Sequence, residues 1–363
     1  MNAPHKPARS VVAAALRRRV FPHAGGAAWL QKERGVALVV VLWVIVVLSL
    51  LIGGFAFTMH VETQVTSFSR KELKADALAR SGIEVARLQL LEHAKTPAEA
   101  GFHALNQKWA SNDDFYRGQP LGDGIFNITV TDEQSRLPVN RLSEAQLRRL
   151  AHLLDLDMAE ADVVADSILD WIDEGDLHRL NGAETDYYNE LPIPYHAKNA
   201  PLDRIEELLL IKGITPELYN ARPASLKRAA RPGLKDILTT LGGDARINVN
   251  TAPAIVLQAM LNMDAPHVAA LIESRNGSDG ILGTKDDQPF RTVEEFLANF
   301  GPADPEERKL WQNLITVKST HFRITATGEV GGVKRTLVVV LVQTGNDFNV
   351  LSWTFQRGAG GPS

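Results

Sequence analysis

Carboxylates crowd one short stretch of the chain. Asp170, Asp173 and Asp176 recur every three residues, and Glu184 and Asp186 follow across Gly182. Carboxylates this concentrated repel one another unless a cation joins them. Ca2+ suits such a loop, because it takes about six to eight oxygens from carboxylates, carbonyls and water in flexible geometry. Asp173, Asp176, Glu184 and Asp186 are the candidate ligands, and Asp170, nearer the end of the preceding helical pattern, is the candidate orienting group. The rival is a solvated acidic loop without an ion. A second stretch, Asn276 to Asp287, offers Asp279, Asp286 and Asp287 beside Gly277 and Gly283, so one ion or two are expected. Its spacing misses the EF-hand frame, which ends on a Glu.

Other chemistries find little support. The chain has no Cys, which excludes disulfides, thiolate metal sites and Cys nucleophiles. Its ten His are scattered. No G-x-S-x-G, H-E-x-x-H, Walker or dinucleotide pattern stands in a suitable context. Asp170 and Asp173 could share a helix face as a hydrolytic pair would. Nothing argues a substrate groove beside them, and a non-enzymatic protein is expected.

The elements that must carry these loops begin at the N-terminus. Val36 to Met59 is a run of 24 uncharged residues, and about twenty apolar residues suffice to cross a bilayer as one helix. Residues 1–35 carry seven Lys/Arg against one acid, Glu33, a bias that holds this flank on the cytoplasmic side and sends the rest outward. A secretory signal peptide has a shorter apolar core and a cleavage site after it. Beyond Met59 the apolar residues thin to a stripe, Val61, Val65, Phe68, Ala75, Leu78, Ala79, Ile83, Ala86 and Leu90. One helix therefore continues over 36–95. Gly53-Gly54 is a weakening pair inside it.

Gly124 to Asp132 alternates Phe126, Ile128 and Val130 and reads as a strand. The next such signals are Thr320 to Glu329 and Leu337 to Val342, separated by Gly331-Gly332. The fold class is α+β. A small antiparallel sheet, in parts 96–139 and 317–363, is split by a mainly helical insertion at 140–316. The insertion repeats itself: PLDRIEELLLIKG from Pro201 and PFRTVEEFLANFG from Pro289 share a frame at an offset of 88 residues. Each follows an acidic loop, and each unit opens its first helix after a Val-Asn pair, so two related units place their loops at one structural address.

KERG followed by VALVVVLWVIVVLSLL resembles the leader junction of type IV prepilins and pseudopilins. There a basic leader, here 1–35, is cut at a Gly before the apolar run. The resemblance implies cleavage between Gly35 and Val36 by a prepilin peptidase and methylation of the new N-terminus. Most such proteins carry Glu as the fifth mature residue, where this chain has Val40. The minor pseudopilin K family of type II secretion usually lacks that Glu. Its pattern is also matched by DWID, NGAE and DYY in the first acidic loop, with Gly175 and His178 standing where the family commonly has Asp and Pro.

The resemblance implies a pilin-like fold with the inserted domain, Ca2+ binding, and assembly with minor pseudopilins I and J and other pseudopilins on an inner-membrane platform. It implies a periplasmic head on a single-pass inner-membrane stem and a place at the pseudopilus tip, helping to initiate assembly and the export of folded proteins. Two other readings stay open. One is a minor pilin of a type IV pilus. The other is a membrane-anchored DNA-uptake protein, because LLLIKGITPELY, from Leu208, and the Asn248 to Arg275 unit resemble helix-hairpin-helix modules. Against it, Asp264 would oppose a phosphate. Removing the leader takes seven bases and one acid from totals of 39 and 43, leaving a net charge of −10. No nucleic-acid partner is expected.

Overall fold

The computed structural model describes residues 33–111, 113–222, 230–241 and 243–356. Residues 1–32 of the expected leader and 357–363 of the expected C-terminal tail lie outside the described residues. Helix α1 (Glu33–Lys95) runs unbroken through Gly53-Gly54. The chain divides after Ser67 into two units. In the first, every side chain from Val36 to Ser67 is exposed, and the helix is long and apolar enough to cross a membrane. A helix that is apolar all round needs lipid or other protein around it.

In the second unit α1 becomes amphipathic and buries Ala75, Leu78, Ala79, Ile83, Ala86 and Leu90. These pack on a five-stranded antiparallel sheet, β1 (Gln119–Leu121), β2 (Gly124–Asp132), β3 (His321–Val330), β4 (Val333–Thr344) and β5 (Asp347–Gln356), whose spatial order follows the chain. Phe126, Ile128, Val130, Phe322, Ile324 and Leu337 supply the sheet's side of the core. Helix and sheet touch closely because the residues between them are small. A Cβ at Gly328 would lie 2.0 Å from the carbonyl oxygen of Ala75, and one at Gly82 would lie 3.2 Å from Cβ of Ala326.

The pattern legible in sequence located β2, β3 and β4, whereas β1 and β5 are additions. β5 pairs with β4 along its length through the two-residue turn Gly345-Asn346, with Gly345 at a φ of 63°.

Between β2 and β3 lies the insertion, with its own core around Leu147, Ile168, Val256, Leu271 and Phe296. Its helices longer than one turn are α2 (Glu144–Leu153), α3 (Met158–Ile172), α4 (Thr185–Asn189), α5 (Ala254–Leu261), α6 (Ala265–Arg275), α7 (Val293–Phe300) and α8 (Pro305–Leu314). The repeat is physical. Each unit is closed by a two-residue parallel pairing, Leu137–Pro138 with Leu238–Thr239 and Ile247–Asn248 with Ile315–Thr316.

The Asn of each Val-Asn pair clamps the residue after the Pro of the shared frame. Asn140 donates to Leu202 O at 2.9 Å and accepts from Leu202 N at 2.8 Å; Asn250 does the same with Phe290 at 2.8 and 2.9 Å. The helix pairs α2/α3 and α5/α6 turn through Leu154-Asp155-Leu156-Asp157 and Leu261-Asn262-Met263-Asp264. In each turn the second residue is left-handed, at φ 65° and 57°, and the last caps the next helix. The shared frame itself diverges, because Ile205–Leu210 forms a 3-10 turn where its counterpart forms α7.

The two ends of the insertion meet at Asp132, the last residue of β2. Its buried carboxylate accepts from Ser319 Oγ at 2.5 Å, Thr251 Oγ1 at 2.6 Å and Asn248 Nδ2 at 2.9 Å.

Since a side chain at position 328 must enter the backbone of α1, Gly328→Ala is expected to destabilise the detergent-solubilised chain by about 1 to 3 kcal/mol, the usual cost of overpacking. An unchanged thermal melting temperature would show that α1 does not sit against β3 as described.

Candidate metal centre

α3 positions the first acidic loop. It opens on a capping box between Asp157 and Glu160 and buries Ala161, Val164, Ala165, Ile168 and Trp171. Asp166 and Asp170 are also buried, one turn apart. Asp166 is met by Arg148 Nη2 at 3.2 Å and by the backbone and side-chain nitrogens of Asn181 at 3.2 and 3.1 Å.

The aromatic residues of the DWID and DYY segments pin the two ends of the loop together. Trp171 meets Tyr188 edge-on at 5.2 Å, Tyr188 stacks on Tyr195 at 5.2 Å, and the Tyr188 hydroxyl accepts from Lys212 N at 3.2 Å. Gly182 is required by proximity, because a Cβ there would lie 1.8 Å from Asp170 Oδ2.

Within this frame Glu184 stands out. It is only 1% exposed, and neither carboxylate oxygen has a hydrogen-bond partner. Burial, followed by the charges of Asp170, Asp173 and Asp176, pushes its carboxyl up to about 7. Asp170 and Asp173 are bridged by Arg179, whose Nη1 donates to them at 2.6 and 2.7 Å. Burial alone would lower the guanidinium, and the hydrogen bonds to Asp173 and Asp170 raise it instead. Asp176 accepts from Asn199 Nδ2 at 3.0 Å, leaving the buried Asn199 Oδ1 without a partner. Asp186 is exposed and accepts from Tyr187 N at 2.8 Å.

Of the residues singled out in this loop, Asp173 is joined to Asp170 through Arg179, Asp173 and Asp176 act on Glu184 through their charge, and Asp186 is exposed. The residue that sequence reasoning missed is Arg179, a base in an acid-rich run whose partners nine and six positions back follow no helical spacing. Among the described residues no three His, Asp or Glu side chains converge on one point as metal ligands. The unmet buried oxygens of Glu184, near enough to three aspartates to feel their charge, fit a hard cation by the chemistry of the donor set.

The second loop satisfies itself. Asp286 accepts from Ser278 N and Oγ, each at 2.7 Å, from Asp279 N at 3.1 Å and from Thr284 Oγ1 at 2.7 Å. The bonds from Thr284 and Ser278 hold its carboxyl well below the usual range. Asp287 accepts from Gly283 N at 2.7 Å and Asp279 from Ile281 N at 2.7 Å. No buried carboxylate oxygen among its described residues lacks a partner.

The helix-hairpin-helix elements present little to a phosphate. Asp264 occupies the N–H of His267 at the start of α6, and Lys212 Nζ is spent on the carbonyls of Asn181 and Gly182, at 3.2 and 2.9 Å.

A long helix laid under an antiparallel meander, with a two-unit helical domain spliced between β2 and β3, is a pilin-like fold with an added helical domain. Two family models described as Type II secretion system (T2SS), protein K match residues 124–223 and 247–318. Type II secretion system protein K of Pectobacterium carotovorum subsp. carotovorum is 25% identical over 325 residues, 83% of this chain and 90% of that protein. The protein K of Pseudomonas aeruginosa is 25% identical over 344 residues, 91% and 94%. A chain of the GspK-GspI-GspJ complex from the enterotoxigenic Escherichia coli Type 2 Secretion System shares the fold. The TM-score is 0.65 at 23% identity, covering 81% of this chain and 99% of that one. Over most of its length the chain is similar to type II secretion system protein K.

Because the folded-state carboxyl of Glu184 is raised from 4.5 to about 7, its contribution to stability is complete below the unfolded value and is lost as pH rises through the folded one. In chelator the melting temperature should fall across that window. Glu184→Gln should abolish the fall and melt roughly 2 to 4 °C higher at alkaline pH, the shift about 1 kcal/mol gives in a large domain. A variant that follows the wild-type pH profile would remove Glu184 as its source.

Proposed function

We propose that the chain is the minor pseudopilin at the tip of a type II secretion pseudopilus, assembling with minor pseudopilins I and J. The observation that carries this reading is the insertion. Residues 140–316 enlarge the head of a pilin-class subunit, and in a helical fibre such bulk is tolerated where no subunit is stacked above. The co-crystallised GspK-GspI-GspJ relative supports the choice of partners. Val40 fits the same place. An ordinary pseudopilin uses a Glu at this position to neutralise a neighbour's N-terminal amine, and a subunit with no neighbour ahead has no amine to meet.

The stem is the membrane anchor before assembly. Its basic flank and apolar run support an inner-membrane position with the head in the periplasm. The Gly35-Val36 junction supports cleavage and methylation by a prepilin peptidase before extraction onto the assembly platform. In the fibre the exposed stem side chains would be covered by other stems, and about 25 cal/mol per Å2 of apolar surface offsets leaving lipid. The role is structural and mechanical, with no reaction catalysed.

Ca2+ belongs to this reading at the first loop, held by Asp173, Asp176 and Glu184 with Asp170 beside them. It would cancel the repulsion that Glu184 suffers. The second loop, around Asp279, Asp286 and Asp287, is already hydrogen-bonded without an ion, and it is a secondary candidate.

Full-length chain co-expressed with I and J should purify as a ternary complex in which this chain begins at Val36 by mass spectrometry. A chain that retains its leader and is recovered without either partner contradicts the proposal. Separately, Ca2+ should raise the melting temperature and chelator lower it, since a ligand at a hundredfold its Kd stabilises by about 2.7 kcal/mol. Mg2+ should substitute poorly. Asp173→Ala combined with Glu184→Ala should remove most of the shift, and identical melting in calcium and chelator would leave a loop without an ion.

A further inference from the structure

Arg179 already does for the acidic loop part of what a metal would do. Its backbone N–H donates to both oxygens of Asp170, at 3.2 and 3.1 Å, and its guanidinium reaches from Asp170 to Asp173. The Asp170 side chain is wholly buried, so its charge must be met inside the protein. The guanidinium meets it without help from any ion.

The bridge leaves one group unserved. Arg179 does not reach Glu184, whose two buried oxygens stay unpartnered beside Asp170, Asp173 and Asp176. The loop is therefore half neutralised, with one pair of carboxylates satisfied by an internal cation and one carboxylate left wanting. A divalent ion that served Glu184 together with Asp173 would stand within a few ångströms of the guanidinium. Like charges at that distance repel, the more so away from bulk water. The two cations compete for the same oxygens.

We infer that Arg179 is a resident cation that holds the loop in its ion-free state and is displaced from Asp173 when Ca2+ binds, thereby setting the loop's affinity for the ion. This rests on the ion reading given above. It makes Arg179 a residue that tunes affinity without being a ligand.

The test is calorimetric titration of the detergent-solubilised full-length chain with Ca2+, for wild type, Arg179→Gln and Arg179→Lys, with melting of each in calcium and in chelator. Arg179→Gln should bind Ca2+ at least about tenfold tighter, since one charge-assisted bridge no longer has to be broken. Its melting temperature should drop in chelator and match wild type in calcium. Arg179→Lys keeps the charge without the forked reach and should fall between. An Arg179→Gln affinity that is unchanged or weaker, with an equal loss of melting temperature in both conditions, means that Arg179 only supports the fold and overturns the exchange. A wild type that binds no Ca2+ overturns the ion reading itself, and the exchange with it.

Discussion

Asp132 is the constraint on which the rest of the head depends. A sheet interrupted by an insertion of this size can close only if the chain returns to the place it left. β2 and β3 pair in register from Ile125 and Glu329 to Asp132 and Phe322. At the point of departure the Asp132 carboxylate gathers donors from the insertion, Asn248 and Thr251, and from the returning segment, Ser319. Burial pushes its carboxyl up, and these donors work against that shift. Asn248 carries the connection further, since its side chain also donates to His103 O at 3.1 Å, in the segment between α1 and the sheet. One buried polar cluster thus fixes where the helical domain sits on the pilin-class core, and a buried network of this kind is specific because every unmet member is costly.

From that anchor the two insertion units unfold the same plan. Each is closed by a short parallel pairing and clamped by one asparagine side chain that reads both backbone groups of a distant residue. The equivalence puts both acidic loops after the second helix of a pair. They then diverge in electrostatics. The Asp279 to Asp287 loop wraps its carboxylates in its own N–H groups and hydroxyls. The first loop uses Arg179 for one pair of carboxylates and leaves the buried oxygens of Glu184 without a hydrogen-bond partner.

Much of this was legible in the sequence because it is written in periodicity. The uncharged run and the stripe after it describe α1, alternation describes β2 and β3, the apolar run Leu337 to Val342 marks β4, and the shared frames describe the two units. What escaped was written in other terms. β5 lies at the sheet edge with Val350, Trp353 and Phe355 exposed, so it lacks a clean inside-outside alternation, although Gly345-Asn346 was a hairpin signal. Ile205–Leu210 kept the frame of α7 but tightened to a 3-10 turn under tertiary packing. The acidic loop was located from its carboxylates alone. Its actual organiser, Arg179, is visible only once the fold brings it onto Asp170.

The central claim is that this head domain makes a terminal subunit, and the most direct measurement is where the protein sits in an assembled fibre. With an epitope label on the exposed second loop and pseudopili imaged by electron microscopy, label is expected at one end of each fibre and nowhere else. Label distributed along the fibre length would contradict the account, whatever the loops bind.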